Sequence, residues 1–346
     1  MHDGHKRMNN FMKFCKNKKI VLLYVVAISL LAISFFLGIM LGSTSISFSQ
    51  ILGAILNHNN GSIEASIFWY VRLPRICACI ICGAALSVSG AVIQGVLANK
   101  LASPSILGVN SGAGLAVTLC ASFGIYGGWQ LSAFSFLGAF ASVMLVSISS
   151  KKMGASRGTV ILLGVALNSL LNAVSDTVIT FNSEVGFMSN NFKIGEFTAV
   201  TYPKLLPASV VIIAAIVMLF TLTNELDIIT LGDDNAKGLG MNTSFMRTLF
   251  LLLAALLAGC AVSLAGLLSF VGLIVPHTVR RISGNKSSHL LPLCAITGGA
   301  FVGICDTISR TLFSPYEIPV GIIMAFLGAP FFVFILIKGK GGHSRD

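Results

Sequence analysis

Residues 72–97 read RLPRICACIICGAALSVSGAVIQGVL: two arginines bracket a proline, and no further charge appears before the run ends at Leu97. As a helix rising 1.5 Å per residue, the stretch from Ile76 to Leu97 spans roughly 33 Å, enough to cross a hydrocarbon core of about 30 Å. Working outward from it, apolar runs between polar breaks predict helices near 20–42, 68–97, 105–123, 131–150, 158–180, 204–223, 246–268, 272–283, 289–308 and 319–337. Composition agrees with this reading. The 346 residues are 55% hydrophobic and only 10% charged, with mean hydropathy +0.89, whereas soluble domains carry about 25% charged residues. A water-soluble globule is excluded, and the expected fold is all-α: a polytopic membrane protein of about ten transmembrane helices.

The net charge of +11 could point to nucleic acid, but its distribution points to a bilayer. With the N-terminus inside, Lys6, Arg7, Lys13, Lys16, Lys18, Lys19, Lys100, Lys151, Lys152, Arg157, Lys237, Arg247, Arg280, Arg281, Lys286, Lys338, Lys340 and Arg345 all fall on the cytoplasmic side, 18 of the 23 basic residues. Only Arg72, Arg75, Lys193, Lys204 and Arg310 fall outside. That asymmetry predicts N-in and C-in topology and needs no nucleic acid. The expected organisation is a basic cytoplasmic N-terminal tail (1–19), a membrane domain (20–338) with a cytoplasmic loop at 224–247, and a cytoplasmic tail (339–346). Ile20 to Leu41 is too long for a signal-peptide core and reads as a retained first helix.

Gly83, Ala85, Ser87 and Gly90 recur with the same spacing as Gly259, Ala261, Ser263 and Gly266, in helices predicted to run in opposite directions. Small residues so spaced let backbones approach in lipid, and the echo suggests an inverted internal repeat of the kind used by transporters. Seven of the eight cysteines, Cys77, Cys79, Cys82, Cys120, Cys260, Cys294 and Cys305, lie in or beside apolar segments without metal-ligand spacing, and read as packing residues with no structural disulfide. No G-x-x-x-x-G-K-[ST] is present, so the chain has no P-loop for ATP phosphates.

From Arg72 to Gly114, and again in LGDDNAKGLGMN (231–242), GLLSFVGLIVPHTVRR (266–281) and EIPVGIIMAFLGAPFF (317–332), the chain resembles the FecCD family of iron-siderophore, haem and vitamin B12 permeases, over nearly its whole length. It departs at Lys100, where the family usually has proline, and at KIGEF (193–197), where a W-x-x-G-S pattern is common. The resemblance implies the permease subunit of an ATP-driven importer, not itself an enzyme and binding no cofactor directly, with ATP-Mg held by a partner ATPase. Implied partners are a second permease copy or paralogue forming a dimer, two ABC ATPase subunits, an extracytoplasmic substrate-binding protein, the chelate and membrane lipid. A ferric siderophore or other iron complex is the expected cargo, with cobalamin or haem as the alternative.

Individual residues carry a structural and a functional reading side by side. Arg72, Arg75 and Arg310 lie at outer helix ends; one arginine there snorkels to the interface, but three suit the carboxylates of a docking protein, the role the resemblance implies. Leu231, Gly232, Asp233, Asp234, Ala236, Lys237, Gly238, Leu239 and Gly240 form either a solvated connection or short helices coupling to the ATPase. Asn168, Asn172, Asp176 and Thr180 recur every four residues, so they share one polar face, either a wall of the translocation path or a source of interhelical hydrogen bonds. Asn99, Leu101, Ser156 and Arg157 match the family's inner gate or are plain capping turns. Gln94, His277 and Asp306 read as satisfied packing residues, with no metal assigned. An ion-coupled secondary transporter is the rival reading. It would need carboxylates near the midplane, and only Asp176 and Asp306 lie in the predicted spans, both toward the outer face.

Overall fold

In the computed structural model, residues 2–42, 48–56, 62–153 and 156–340 are described, and among them every regular element is helical. The C-terminal residues 341–346, including Arg345, lie outside the described residues. The elements are α1 (His2–Met40), α2 (Phe48–Leu56), α3 (Ile63–Ile67), a π-helical turn (Phe68–Arg72), α4 (Leu73–Val96), a 3-10 turn (Pro104–Leu107), α5 (Val109–Ser122), α6 (Gly128–Lys152), α7 (Arg157–Phe181), α8 (Ser183–Ile194), α9 (Tyr202–Thr221), α10 (Thr223–Thr230), α11 (Asp233–Gly238), α12 (Thr243–Ala265), α13 (Val271–Ser283), α14 (Ser287–Thr311) and α15 (Val320–Lys340).

Each of the ten apolar runs corresponds to a helix, as the polytopic all-α reading expects. Seven helices are long and apolar enough to cross a membrane, whereas α5 and the apolar part of α15 are shorter. At 1.5 Å per residue α13 reaches only about 20 Å, less than a core of about 30 Å. The first helix also differs from expectation, since α1 starts at His2 and takes in the basic segment 2–19.

Local chemistry sets several boundaries. Pro74 has no N–H to donate, and the turn before it widens so that Leu73 N–H reaches back to Phe68 O. Ser156 Oγ caps α7 by accepting from Thr159 N, and Asn242 Oδ1 caps α12 by accepting from Phe245 N. Gly266, with φ +70°, ends α12 where a Cβ would stand 2.5 Å from Phe192 O.

Helix α4 is the hub, packed between α12 and α14. Its small residues permit this: a Cβ on Gly83 would strike the Gly298 backbone, and one on Gly90 the Gly272 carbonyl. Cys82 Sγ donates to Ala261 O and Ser89 Oγ to Ala254 O; as one number rises the other falls, so α4 and α12 run antiparallel. Ser87 Oγ to Cys294 O, with Arg75 against Asp306, gives the same sense for α4 and α14. The pairing pattern repeats: α4 lies on α14 as α12 lies on α6, and α5 packs against α6 and α7 as α13 packs against α14 and α15. Gly83 and Gly259 play equivalent parts, the latter facing Phe136 and Ala139 of α6. Both halves break the chain after their first long helix, at residues of positive φ, Ala98 (+48°) and Phe270 (+67°). The short helices α5 and α13 follow those breaks.

Candidate translocation and coupling site

A cavity of about 610 Å³ opens beside α7, walled by Ser105, Asn110, Ser111, Asn172, Ser175, Asp176 and Lys193 among others. Ser105 and Asn110 also line an adjoining recess of about 210 Å³ that reaches Phe270 and Gly272 at the second chain break. Asn168 lines the cavity too and is also tied to the fold: its amide donates to Ser105 O (2.9 Å) and Ile106 O (3.2 Å), and its Oδ1 accepts from Ser111 Oγ. This ties α7 to the 3-10 turn. Asn172 and Asp176 are exposed on the cavity wall, and Asp176 has Lys193 Nζ at 3.8 Å. Thr180 Oγ1 only donates back to Asp176 O.

At the opposite end of α7 from Asp176, Arg157 donates from Nη2 to Ile229 O (2.9 Å) and to Asp233 Oδ1 (2.8 Å). Asp233 Oδ2 accepts in turn from Arg247 at the start of α12. One carboxylate, the first residue of α11, thus joins three helices. Burial alone would raise the Asp233 pKa, but hydrogen bonds and charge from Arg247 and Arg157 hold it below the usual aspartate range. The loop at 224–247 is built as short helices, α10 and α11, with Ala236 fully buried as their anchor. Leu231 and Leu239 stand outward, 59% and 65% exposed. Asn99 Oδ1 accepts from Leu101 N, and Ser156 accepts from Thr159 N, so both pairs form local caps. Of the four residues expected at an inner gate, Asn99, Leu101, Ser156 and Arg157, it is Arg157 that is salt-bridged to α11.

The three arginines are placed differently from the outward-facing cluster expected. Arg72, Arg75 and Arg310 are 3%, 6% and 3% exposed. Arg75 grips Asp306 through Nε and Nη2 (2.9–3.2 Å) and Glu317 through Nη1 (2.8 Å). Arg310 Nε lies 3.0 Å from Asp306 Oδ2. Arg72 donates to the carbonyls of Ile39 and Met40, and Arg310 to those of Gly38 and Leu41. Those carbonyls close α1, where a helix lacks its own donors and carries partial negative charge, so two buried cations cap it. The physical reason for the difference is desolvation: guanidinium groups at an apolar helix end are retained where carboxylates and carbonyls satisfy them.

Polar face, cavity, the short helices at 224–247 and inverted packing coincide with one set of motifs, and the FecCD transport family profile matches residues 30–338. The chain belongs to the FecCD transport family. It is 33% identical to the iron(3+)-hydroxamate import system permease protein FhuG of Bacillus subtilis, over 95% of this chain and all of that protein. It is 32% identical to the vitamin B12 import system permease protein BtuC of Yersinia pseudotuberculosis, over 79% of this chain and 82% of that protein. A solved structure described as an inward-facing conformation of a metal-chelate type ABC transporter superposes with TM-score 0.81 at 29% identity, covering 93% of this chain and 99% of that one. As a FecCD permease, the chain is a multi-pass membrane protein of the ABC transporter class, a subunit type without its own nucleotide-binding domain.

Within this FecCD chain, several functional-site residues were not singled out from sequence: Glu317, Arg247 and Lys193 as ion-pair partners, and Asp306 as the centre of the outer cluster. A signal existed. Asp306 and Arg310 are spaced i, i+4 at the end where Arg72 and Arg75 also lie, and charge balance alone pairs them. Of the five basic residues outside the cytoplasmic set, the other two are also engaged, Lys193 with Asp176 and Lys204 with Ala199 O. Gln94 is satisfied as expected, donating to Gly272 O and accepting from Arg280.

Proposed function

We propose that this chain is the membrane subunit of an ATP-driven importer that carries a metal chelate, a ferric siderophore or similar iron complex, into the cytoplasm. It works as a pair with a second copy or a paralogue, with two ATPase subunits on the α10–α11 side and a substrate-binding protein at the outer end. The N- and C-termini lie inside. The observation that carries the reading is the continuity along α7: Asn172 and Asp176 on a polar cavity, and Arg157 at its start bonded to Asp233 of the coupling segment. Movement of α10 and α11 by the ATPase then displaces the helix that walls the passage, an element with two positions biased by nucleotide state.

The passage chemistry fits a large polar cargo held weakly. Amide and hydroxyl groups offer neutral donors and acceptors, and Lys193 leaves Asp176 little net charge with which to trap a cation. The relative FhuG, an iron(3+)-hydroxamate permease, supports iron as cargo, and the relative BtuC, a vitamin B12 permease, keeps cobalamin as the alternative. At the outer end the buried arginines serve docking indirectly, by fixing α1, α4 and α14 beneath the surface that meets the binding protein. An ion-coupled mechanism is disfavoured because Asp306 is fully buried between Arg75 and Arg310, which leaves it no site from which to relay a proton.

Proteoliposomes containing the chain, its ATPase and its binding protein test the proposal with ferric hydroxamate, haem and cobalamin in parallel. The expected result is ATP-dependent accumulation of the iron complex. Accumulation of cobalamin alone would overturn the cargo, and uptake driven by an ion gradient without ATP would overturn the mechanism.

A further inference from the structure

Away from the passage, a recess of about 300 Å³ opens on the flank of the bundle between α1, α13 and α14. Leu23 and Leu30 of α1, Ile274 and Ile282 of α13, and Leu293 and Phe301 of α14 wall it. Its three hydroxyl residues keep their polar atoms out of the cavity. Thr278 donates to Ile274 O (2.9 Å), Ser283 to Val279 O (2.9 Å) and Thr297 to Leu293 O (2.6 Å), so the wall presents hydrocarbon.

The three walls end alike. Lys19 lies four residues before Leu23 and Arg281 three after Thr278, spacings that keep both on the recess-facing stripe of their helices, and Lys286 is the N-cap residue of α14, the helix that carries Leu293. All three are exposed. They also share one level: α1 and α14 run parallel, with Tyr24 against His289 and Gly38 against Arg310, and α13 turns directly into α14. The neighbouring Arg280, by contrast, turns inward and bonds Gln94 and Ala91 O. This is the same end as α10, since Ser287 N donates to Asp227 Oδ1.

We propose that this recess binds an anionic phospholipid, one acyl chain lying along α1 and the phosphate held among Lys19, Arg281 and Lys286. From Leu23 to Leu30 the recess runs roughly 10 Å, about two-thirds of one leaflet of a core of about 30 Å. Over that length the recess is a slot lined by hydrocarbon on three sides, a surface that an acyl chain lying along α1 would cover. Three cations at the mouth select a negative headgroup over a zwitterionic one, as basic pockets between membrane helices do.

The test uses the purified full chain in detergent with equal amounts of phosphatidylglycerol and phosphatidylcholine, followed by delipidation and mass spectrometry of retained lipid. The wild type is expected to retain phosphatidylglycerol severalfold over phosphatidylcholine and to gain thermal stability when it is added back, with no gain from glycerol phosphate. The triple variant K19Q/R281Q/K286Q should lose the headgroup preference while melting as the delipidated wild type does. Thr278→Trp, which fills the recess, should lose bound phosphatidylglycerol with its cations intact. Equal retention of both lipids by the wild type, or an undiminished preference in the triple variant, would overturn the proposal. So would an altered oligomeric state of Thr278→Trp with wild-type lipid content, which would make a second copy the occupant. None of these readouts requires transport, so the outcome is independent of the cargo and the ATPase.

Discussion

Two ionic clusters sit at opposite ends of the bundle, each built on one aspartate held by two arginines. At the outer end Asp306 is fully buried between Arg75 and Arg310, and Arg72 and Arg310 are spent on the end of α1. At the α10–α11 end Asp233 is partly open to water between Arg157 and Arg247. Burial separates their consequences. A buried charge left without its partner costs several kcal/mol, whereas an exposed pair contributes about 1 kcal/mol or less. The outer cluster is therefore a brace that keeps α1, α4 and α14 in one arrangement. The inner cluster is held less tightly, with the Asp233 side chain 35% exposed against 0% for Asp306, and on the proposed function it is the link that changes as the helices move.

The largest expected effect follows from breaking the brace. Asp306→Ala takes the shared carboxylate from two buried guanidinium groups, leaving Arg75 only Glu317 and Arg310 only backbone carbonyls, and should cost about 3 kcal/mol, read as loss of folded protein from the membrane fraction or a lower Tm in detergent. Arg75→Glu should be at least as damaging. A transport defect in Arg75→Glu with normal accumulation and normal Tm would show that the guanidinium acts at a surface instead. Gly90→Leu tests the same rigid core without altering charge: its side chain meets the Gly272 carbonyl across the α4–α13 contact, and folded yield should fall comparably.

The inner cluster should respond in the opposite way. Asp233→Asn is expected to change stability by less than about 1 kcal/mol, while substrate moved per ATP hydrolysed by the reconstituted complex falls severalfold. Exchanging charges in Arg157→Asp/Asp233→Arg should recover part of that ratio, an outcome that a merely structural role would not produce. A pH series sharpens the point. Because the folded Asp233 pKa is depressed, its contribution is present above the ordinary aspartate value of about 3.9 and is lost only as pH falls through the lower folded value. Coupling through Asp233 should therefore hold across the neutral and mildly acidic range, and Asp233→Asn should show the uncoupled ratio throughout. The smallest effect is expected from Asn172→Leu on the cavity wall, with slower uptake, unchanged Tm and unchanged ATPase coupling.

Much of this was legible in the sequence because hydrophobic runs and helix period report faces directly. The ten apolar runs became helices, the Gly83/Gly259 echo became equivalent helix contacts, and 231–240 became surface helices. What periodicity cannot report is which distant residue meets a given face. Arg75 and Asp306 are 231 residues apart, and Glu317 sits beyond the end of α14, so the arginines read as unpaired and outward. Short helices are also poorly signalled. α2 and α8 carry mixed sequences, and the positive-φ breaks at Ala98 and Phe270 that precede α5 and α13 leave no mark in the hydrophobic period. Asn168 and Asn172 both line the cavity, yet only tertiary packing decides that the first also bonds to a neighbouring turn.

The account stands on the two clusters occupying opposite sides of the membrane. Asn235→Cys, beside the inner cluster, and Tyr316→Cys, in the exposed turn beside the outer one, can be treated in intact cells with a membrane-impermeant thiol reagent against the unsubstituted parent. Tyr316→Cys should be labelled from outside, and Asn235→Cys only after the cells are opened. Labelling of Asn235→Cys in intact cells would put the α10–α11 segment on the wrong face for an ATPase and contradict the importer reading.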